Sequence, residues 1–466
     1  MNKNKVALKS GIWYTFANFL TKSIGIITTP IFTRLLTKAE YGQFNNFTSW
    51  VAIFSIFVTL NLGSTFISAR YDFEDRFDEY VLSMFSLSSL SALIWIVLLN
   101  VFGNVSVEFF GLSRLYINCM MVYLLFLPAV DLFQTRERYF FKYKNTVAIS
   151  VLTVVGTSLV SVLLVLLLKN RLNGIVFGYV FPTVLIGIVV SLHFIHVGKR
   201  VNTNYWGYAL KFCLPFIPHL LSLTLLNSMD RVMITKICGA EDTALYSLAY
   251  SCGHIVSILL TSLNSAYAPW LGEKLVSNEH KEVYNFSKTY VTTFMILAAG
   301  IMLIAPEILL VLGGKMYMDA IYVMPPVAMG CVCQFVYTMY VNVEQFNKKT
   351  IGMAVGSISA ALINYVLNAI CIPIYGYYAA AYTTLVGFVW LVAVHIYLVH
   401  KMGYRDLYNE KFILAALAMM IFVTVFINYL YKLTTVRYVF VVAYGALLLV
   451  GIYKYKNQIL SFLKGK

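Results

Sequence analysis

Residues 225–236 read LLNSMDRVMITK, placing Asp230 and Arg231 inside a long run of Leu, Ile, Phe and Met. A charge at the centre of a bilayer costs roughly 2.5–3.5 kcal/mol on insertion scales, so such residues usually have a task. Lys22 stands near the middle of another apolar run. A guanidinium presents a planar fork of N–H donors and an ammonium a compact point charge. Facing one wet space, Lys22 and Arg231 would form a cationic chamber suited to a phosphate or pyrophosphate head group. The three charges together cost about 8–10 kcal/mol unless water, partners or ligand compensate. A purely structural role competes with this reading, most strongly at Asp230, because polar residues also join helices.

Helical spacing says where these groups point. At 100° per residue, Gly11, Thr15, Asn18, Lys22, Gly25, Thr29 and Thr33 share a sector roughly 80° wide. Thr224, Asn227, Ser228, Arg231 and Thr235 share one roughly 100° wide, with Asp230 at its edge near the direction of His219. Adjacent residues diverge by about 100°, so Asp230 and Arg231 do not simply neutralise each other. Asp230 is expected to bind a neighbouring helix, leaving Arg231 along the stripe. Asn18, Thr29, Thr224 and Asn227 are the supporting polar residues.

The elements that carry these stripes are membrane helices. The 466 residues are 60% hydrophobic and 12% charged, about half the charge of an average soluble domain. Apolar runs long enough to cross about 30 Å of hydrocarbon recur along the chain. The expected fold is an all-α polytopic membrane protein of fourteen spans. They lie at roughly 11–35, 42–67, 80–102, 114–133, 146–168, 174–197, 208–236, 245–270, 288–311, 319–343, 350–371, 377–399, 411–431 and 438–455. With both termini cytoplasmic, 24 of the 35 Lys and Arg fall in cytoplasmic segments and 9 in external ones, as the positive-inside rule requires. The net charge of +15 is mostly this topological signal and weak support for nucleic acid. The first span is too long for a signal-peptide core and reads as an uncleaved anchor. Seven cysteines show no metal or disulfide spacing and read as small core residues. The charged stretches 70–80, 134–145 and 272–285 read as solvated cytoplasmic connectors, and 103–113 as the longest external loop.

A faint repeat organises the spans. TVLIG at 183–187 matches TTLVG at 383–387, and Gly156 matches Gly356 at the same offset. Each pair follows a basic loop ending in KNT or KKT. These matches suggest two six-helix halves of like orientation, 1–207 and 208–405, with two further helices in 406–466. Such duplication normally places a substrate site between the halves.

Weaker candidates are Arg34, which points about 120° from the stripe and reads as a snorkelling side chain, Arg70 and Arg136 beside cytoplasmic openings, and Glu307, a kink partner after Pro306. His219 and His254 lie deeper than His193, His196, His395 and His400, which read as interfacial. No metal site, catalytic group or cofactor is expected. H+ or Na+ coupling stays open.

Several stretches carry a family resemblance: TRLLTKAEYGQF at 33–44, LKFCLPFIPHLLSLTLLNSMDRVMI at 210–234, LYSLAY at 245–250 and INYVLNAICIPIYGYYAAAYTTLVG at 363–387. In order and spacing the chain resembles the polysaccharide-transporter branch of the MOP flippase superfamily, the Wzx-type flippases. Leu245 and Tyr378 stand where that pattern usually has Gly. The resemblance implies two six-helix lobes forming a V plus two C-terminal helices. It implies transport of an undecaprenyl-pyrophosphate-linked oligosaccharide repeat between leaflets of a bacterial plasma membrane, for O-antigen, lipopolysaccharide or capsule synthesis. A polysaccharide polymerase and chain-length machinery would be its partners. Of the site, only Asp230–Arg231 is carried by the resemblance; Lys22 rests on the helical wheel. A multidrug cation antiporter of the same superfamily wants acidic chamber residues. A polymerase or ligase wants a large external loop. A peptidoglycan-precursor flippase would share the cationic logic.

Overall fold

The computed structural model describes residues 24–140, 142–347 and 349–463. Lys22 and Asn18 lie outside them. The described chain is helical throughout. The helices are α1 (Ile24–Leu35), α2 (Lys38–Thr59), α3 (Phe66–Asp72), α4 (Phe77–Val101), α5 (Gly103–Phe110), α6 (Arg114–Tyr139), α7 (Tyr143–Leu167), α8 (Arg171–Gly198), α9 (Asn204–Cys213) and α10 (Ile217–Ile237). They continue as α11 (Ala240–Gly253), α12 (Val256–Val276), α13 (His280–Leu303), α14 (Ala305–Gly313), α15 (Met324–Phe346), α16 (Thr350–Tyr375), α17 (Tyr378–Lys401), α18 (Glu410–Leu430) and α19 (Thr434–Leu463). Among the described residues eleven helices are long and apolar enough to cross a membrane, or twelve if a pair bent by 47° counts as one. This is a multi-pass membrane protein.

Two compact units divide the chain. One holds residues up to 247 with 312–314 and 357–380; the other holds 248–311, 315–356 and 381 onward. In the first, α2 starts on a reciprocal cap: the Glu40 N–H donates to the Thr37 hydroxyl (3.2 Å) and the Thr37 N–H to the Glu40 carboxylate (2.8 Å). The T-x-x-E of LLTKAEYG is thus a helix-start signal in its own right. Its glycine has a separate reason. A Cβ at Gly42 would stand 1.7 Å from the carbonyl oxygen of Ala240, which opens α11. Gly42→Ala is therefore expected to cost about 3 kcal/mol, the upper range for overpacking. The readouts are the unfolding midpoint and the membrane level of the protein; an unchanged midpoint would show that the two helices part freely. Gly178 plays the same part between α8 and α7, where a Cβ would lie 2.2 Å from Ser161 Cα. Small residues at such crossings let helices meet without a hydrophobic drive between them.

The bent pair joins α2 to the segment Leu62–Asp72. Between them Leu60 (φ 49°) and Asn61 (φ 52°) are both left-handed, a conformation that Asn tolerates and Leu does not favour. The chain then resumes as a 3₁₀ turn, Leu62–Thr65, and α3. Below the break Phe66, Phe77, Tyr80 and Met84 pack with Ala209 and Cys213 of α9. In the second unit, ring stacks Tyr267–Tyr290 (4.3 Å) and Phe294–Phe335 (3.9 Å) bind α12, α13 and α15.

Several expected connectors are helix. The stretch at 103–113 contains α5, whose Phe110 carbonyl accepts from Asn46 (3.1 Å) and Trp50 (2.9 Å) of α2. QTRERY continues α6 to Tyr139, and 272–285 is mostly the end of α12 and the start of α13. Charges stop a hydropathy window, but they do not stop a backbone ladder. One turn recurs in both units: Lys142 N–H bonds Glu137 O at 2.9 Å before α7, and Lys349 N–H bonds Glu344 O at 2.9 Å before α16.

Candidate functional site

The site is built on α10. The Pro-containing segment 214–218 feeds this helix through a 3₁₀ turn, where missing N–H groups cost nothing because first-turn donors are unpaired anyway. Farther along the helix, Asp230 is 1% exposed. Its carboxylate accepts from the Tyr246 hydroxyl of α11 (2.5 Å) and from the Asn368 amide of α16 (2.6 Å). Asn368 also donates to Asn364 at 3.3 Å. Tyr246, Asn364 and Asn368 are themselves at most 1% exposed. Asp230 therefore ties α10 to two neighbouring helices. In a dry site such hydrogen bonds to an ionised group are shorter and about twice as strong as neutral ones.

Arg231, next in sequence, is only half-buried. Its Nη1 donates to Asn227 O at 3.3 Å, and Thr235 donates its hydroxyl to Arg231 O at 2.7 Å. The Asn227 amide donates to Leu223 O, and Thr224 is half-buried on the same helix. One helix thus separates the two charges: the acid is locked among helices, and the guanidinium lies along the more open stripe. On α1, Thr29 donates to Gly25 O of its own helix, whereas Thr33 is 1% exposed and donates to Leu312 O at 2.5 Å. The Thr33 end of that stripe faces protein.

The remaining candidates are framework. Arg34 is exposed and donates to Pro30 O at 2.9 Å along its own helix, as a snorkelling side chain does. Arg70 donates to Tyr139 O and lies 4.9 Å over the Phe140 ring, fastening α3 to the end of α6. Arg136 is held between Asp78 (2.6 Å) and Glu137, so two carboxylates already engage the cation expected to greet an anion. His219 Nδ1 meets Ser357 Oγ at 2.8 Å. In the second unit, Glu307 forms a two-pronged ion pair with Arg437 (2.7 and 2.5 Å) and accepts from Tyr438 (2.9 Å). His395 packs inside the protein. It is 2% exposed, with Nδ1 at 2.6 Å from Glu344, a wholly buried acid.

Three acids carry no signal that sequence alone makes plain. Glu137 and Glu344 stand just past apolar runs, where a connector is the natural expectation. Asp131 stands in the fourth span, followed by Gln134, Thr135 and Arg138 at helical spacing of 3, 4 and 7. That periodicity is a polar stripe, legible only once the helix is known to run past residue 133.

A family model described as polysaccharide biosynthesis protein matches residues 7–275, more than half of the chain. The chain belongs to this family. The match covers the Thr37–Glu40 cap, Gly42, Asp131 and the Asp230–Arg231 pair. A comparison with curated proteins finds no match. Among solved structures the polysaccharide biosynthesis chain is similar to the lipid II flippase MurJ in an inward closed conformation, with a TM-score of 0.68 at 14% identity over 96% of this chain and 100% of that one. It is also similar to an inward-facing multidrug resistance MATE family transporter of the MOP superfamily (0.58, 14%, 83% and 95%). A Vibrio cholerae MATE transporter follows (0.55, 12%, 86% and 97%). At these identities the likeness is one of fold.

Proposed function

We propose that this protein is a flippase, not an enzyme, that moves an undecaprenyl-pyrophosphate-linked oligosaccharide repeat from the cytoplasmic to the external leaflet of a bacterial plasma membrane. The observation that carries the reading is the division of labour on α10. Asp230 is consumed by Tyr246 and Asn368, while Arg231 stays half-buried along a polar stripe, in a chain of the polysaccharide biosynthesis family. A guanidinium so placed can meet a pyrophosphate in two-pronged fashion as the prenyl chain stays in lipid. Lys22, on the wheel of the first span, is the second cation of the site. Alternating access of two six-helix halves, 1–207 and 208–405, supplies the movement, with 406–466 outside them. Fourteen spans are supported by the long helices together with the bent pair and the shorter apolar helices Ile24–Leu35 and Thr434–Val450. Lys and Arg asymmetry puts both termini in the cytoplasm. The product is O-antigen or capsule, handed to a polymerase and its chain-length machinery. Antiport of cationic drugs fits the pair of basic groups less well.

The test is reconstitution. Purified protein in liposomes is expected to expose a fluorescent polyprenyl-pyrophosphate oligosaccharide to an external quencher within minutes, against hours in protein-free vesicles. Equal protection in both would end the flippase reading.

A further inference from the structure

The first unit contains a cavity of about 400 Å³ that none of the described α1 and α10 site residues lines. Two elements make it. One is the stripe on α6: Asp131, Gln134, Thr135 and Arg138. The other is the break after α2, from which Thr59, Asn61 and Ser64 line the same space. Asp131 is the eighteenth residue of the 26-residue α6. It therefore lies about 12 Å from the end of the helix and two residues inside the expected fourth span. An acid there is costly unless it faces protein, water or a ligand. Among the described residues Asp131 makes no hydrogen bond or ion pair, and its side chain is open to the cavity.

The break adds a second, independent feature. The last carbonyls of any helix have no partner within it and carry the negative end of its dipole. Here the regular ladder stops at Leu60 N–H to Ile56 O (3.0 Å), and the two left-handed residues turn the chain away. Part of the freed polarity is absorbed locally: Ser91 of α4 donates its hydroxyl to Phe57 O at 2.9 Å, Ser64 donates to Asn61 O at 2.8 Å, and Cys213 also approaches that oxygen. The cavity is thus lined by the end of α2, hydroxyl and amide side chains, one carboxylate and the Arg138 guanidinium. Interrupted membrane helices that put carbonyls and helix C-termini beside an acid are suited to small cations.

We infer that Asp131 and the broken end of α2 bind a small monovalent cation, Na⁺ or a proton. The groups facing Asp131 are Arg138 and Tyr139 of α6 and, from α8, Tyr179, whose hydroxyl donates to that of Tyr123 on α6 at 3.4 Å. Thr59, Asn61 and Ser64 bring no charge. Arg138 is two turns from Asp131, about 10 Å along the axis. It holds the empty site near neutrality and weakens the affinity for the cation. This suits a site that loads and unloads. The site rests on its own geometry and does not depend on which lipid the protein carries.

The experiment measures binding rather than transport. Purified full-length protein in detergent is heated at constant ionic strength in two arms, NaCl replacing choline chloride at pH 8, and pH lowered from 8 to 6 without Na⁺. A ligand that binds the native state raises the unfolding midpoint. A rise in the first arm identifies Na⁺ and a rise in the second the proton, and Asp131→Asn, which keeps the side-chain volume, is expected to abolish it. Arg138→Gln should tighten the apparent affinity on the order of tenfold by removing the nearby positive charge. That comparison keeps the carboxylate and holds even if Asp131→Asn does not fold. Flat midpoints in both arms overturn the inference, as do a rise that Asp131→Asn retains or a response that Arg138→Gln leaves unchanged or weakens.

Discussion

Asp230→Ala is expected to deplete the protein from the membrane before any question of transport arises. Removing the carboxylate leaves the Tyr246 hydroxyl and the Asn368 amide as buried donors facing a void, with α10, α11 and α16 no longer tied. Each stranded donor costs about 1–3 kcal/mol, and breaking a buried charged contact by deleting one partner costs roughly 3–5 kcal/mol. The unfolding midpoint of purified protein and its level in the membrane should both fall sharply. Asp230→Asn should fall less, since one amide oxygen can still accept from Tyr246, but its NH₂ then opposes the donor of Asn368. Full stability with lost transport would reassign Asp230 from a brace to a ligand-contacting group.

Arg231→Ala should show the opposite pattern. The side chain is half-buried, and the helix around it is held by its neighbour. The variant is expected to insert at the normal level with an unfolding midpoint close to that of the parent. Its flipping rate should drop by about a hundredfold, the loss of a charged hydrogen-bonding contact worth about 3 kcal/mol. Arg231→Lys discriminates between charge and shape: partial activity means that a point charge suffices, whereas complete loss means that the planar fork is needed. Lys22→Ala should behave like Arg231→Ala. Wild-type rates in both alanine variants would remove the anion site from the proposal.

The two alanine variants separate residues that sequence sets side by side. Adjacent positions on a helix diverge by about 100°, so opposite fates for Asp230 and Arg231 are a consequence of helical geometry. That Asp230 would seek another helix was therefore legible from the sequence. Its partners were not: Asn368 lies 138 residues away and Tyr246 sixteen away beyond a turn. The family signature was legible too, while its physics was only half so. The Thr37–Glu40 cap can be read locally, but Gly42 is explained by an Ala240 carbonyl about two hundred residues downstream.

Charge misleads where it is equated with solvent. QTRERY looks like a loop because its residues end an apolar window, yet the i to i−4 ladder carries α6 through them to Tyr139. Glu137, Glu344 and His395 look peripheral for the same reason, and all are buried among polar partners. Arg136 looks available until Asp78 and Glu137 are found on either side of it.

The sequence alone determined the class of protein, because the length of an apolar run is a local property that the thickness of a bilayer selects. It also determined which charges were costly. Tertiary structure alone decided which of them are spent on other side chains, and it exposed the cavity at Asp131, because pairing depends on contacts between helices that no local pattern encodes.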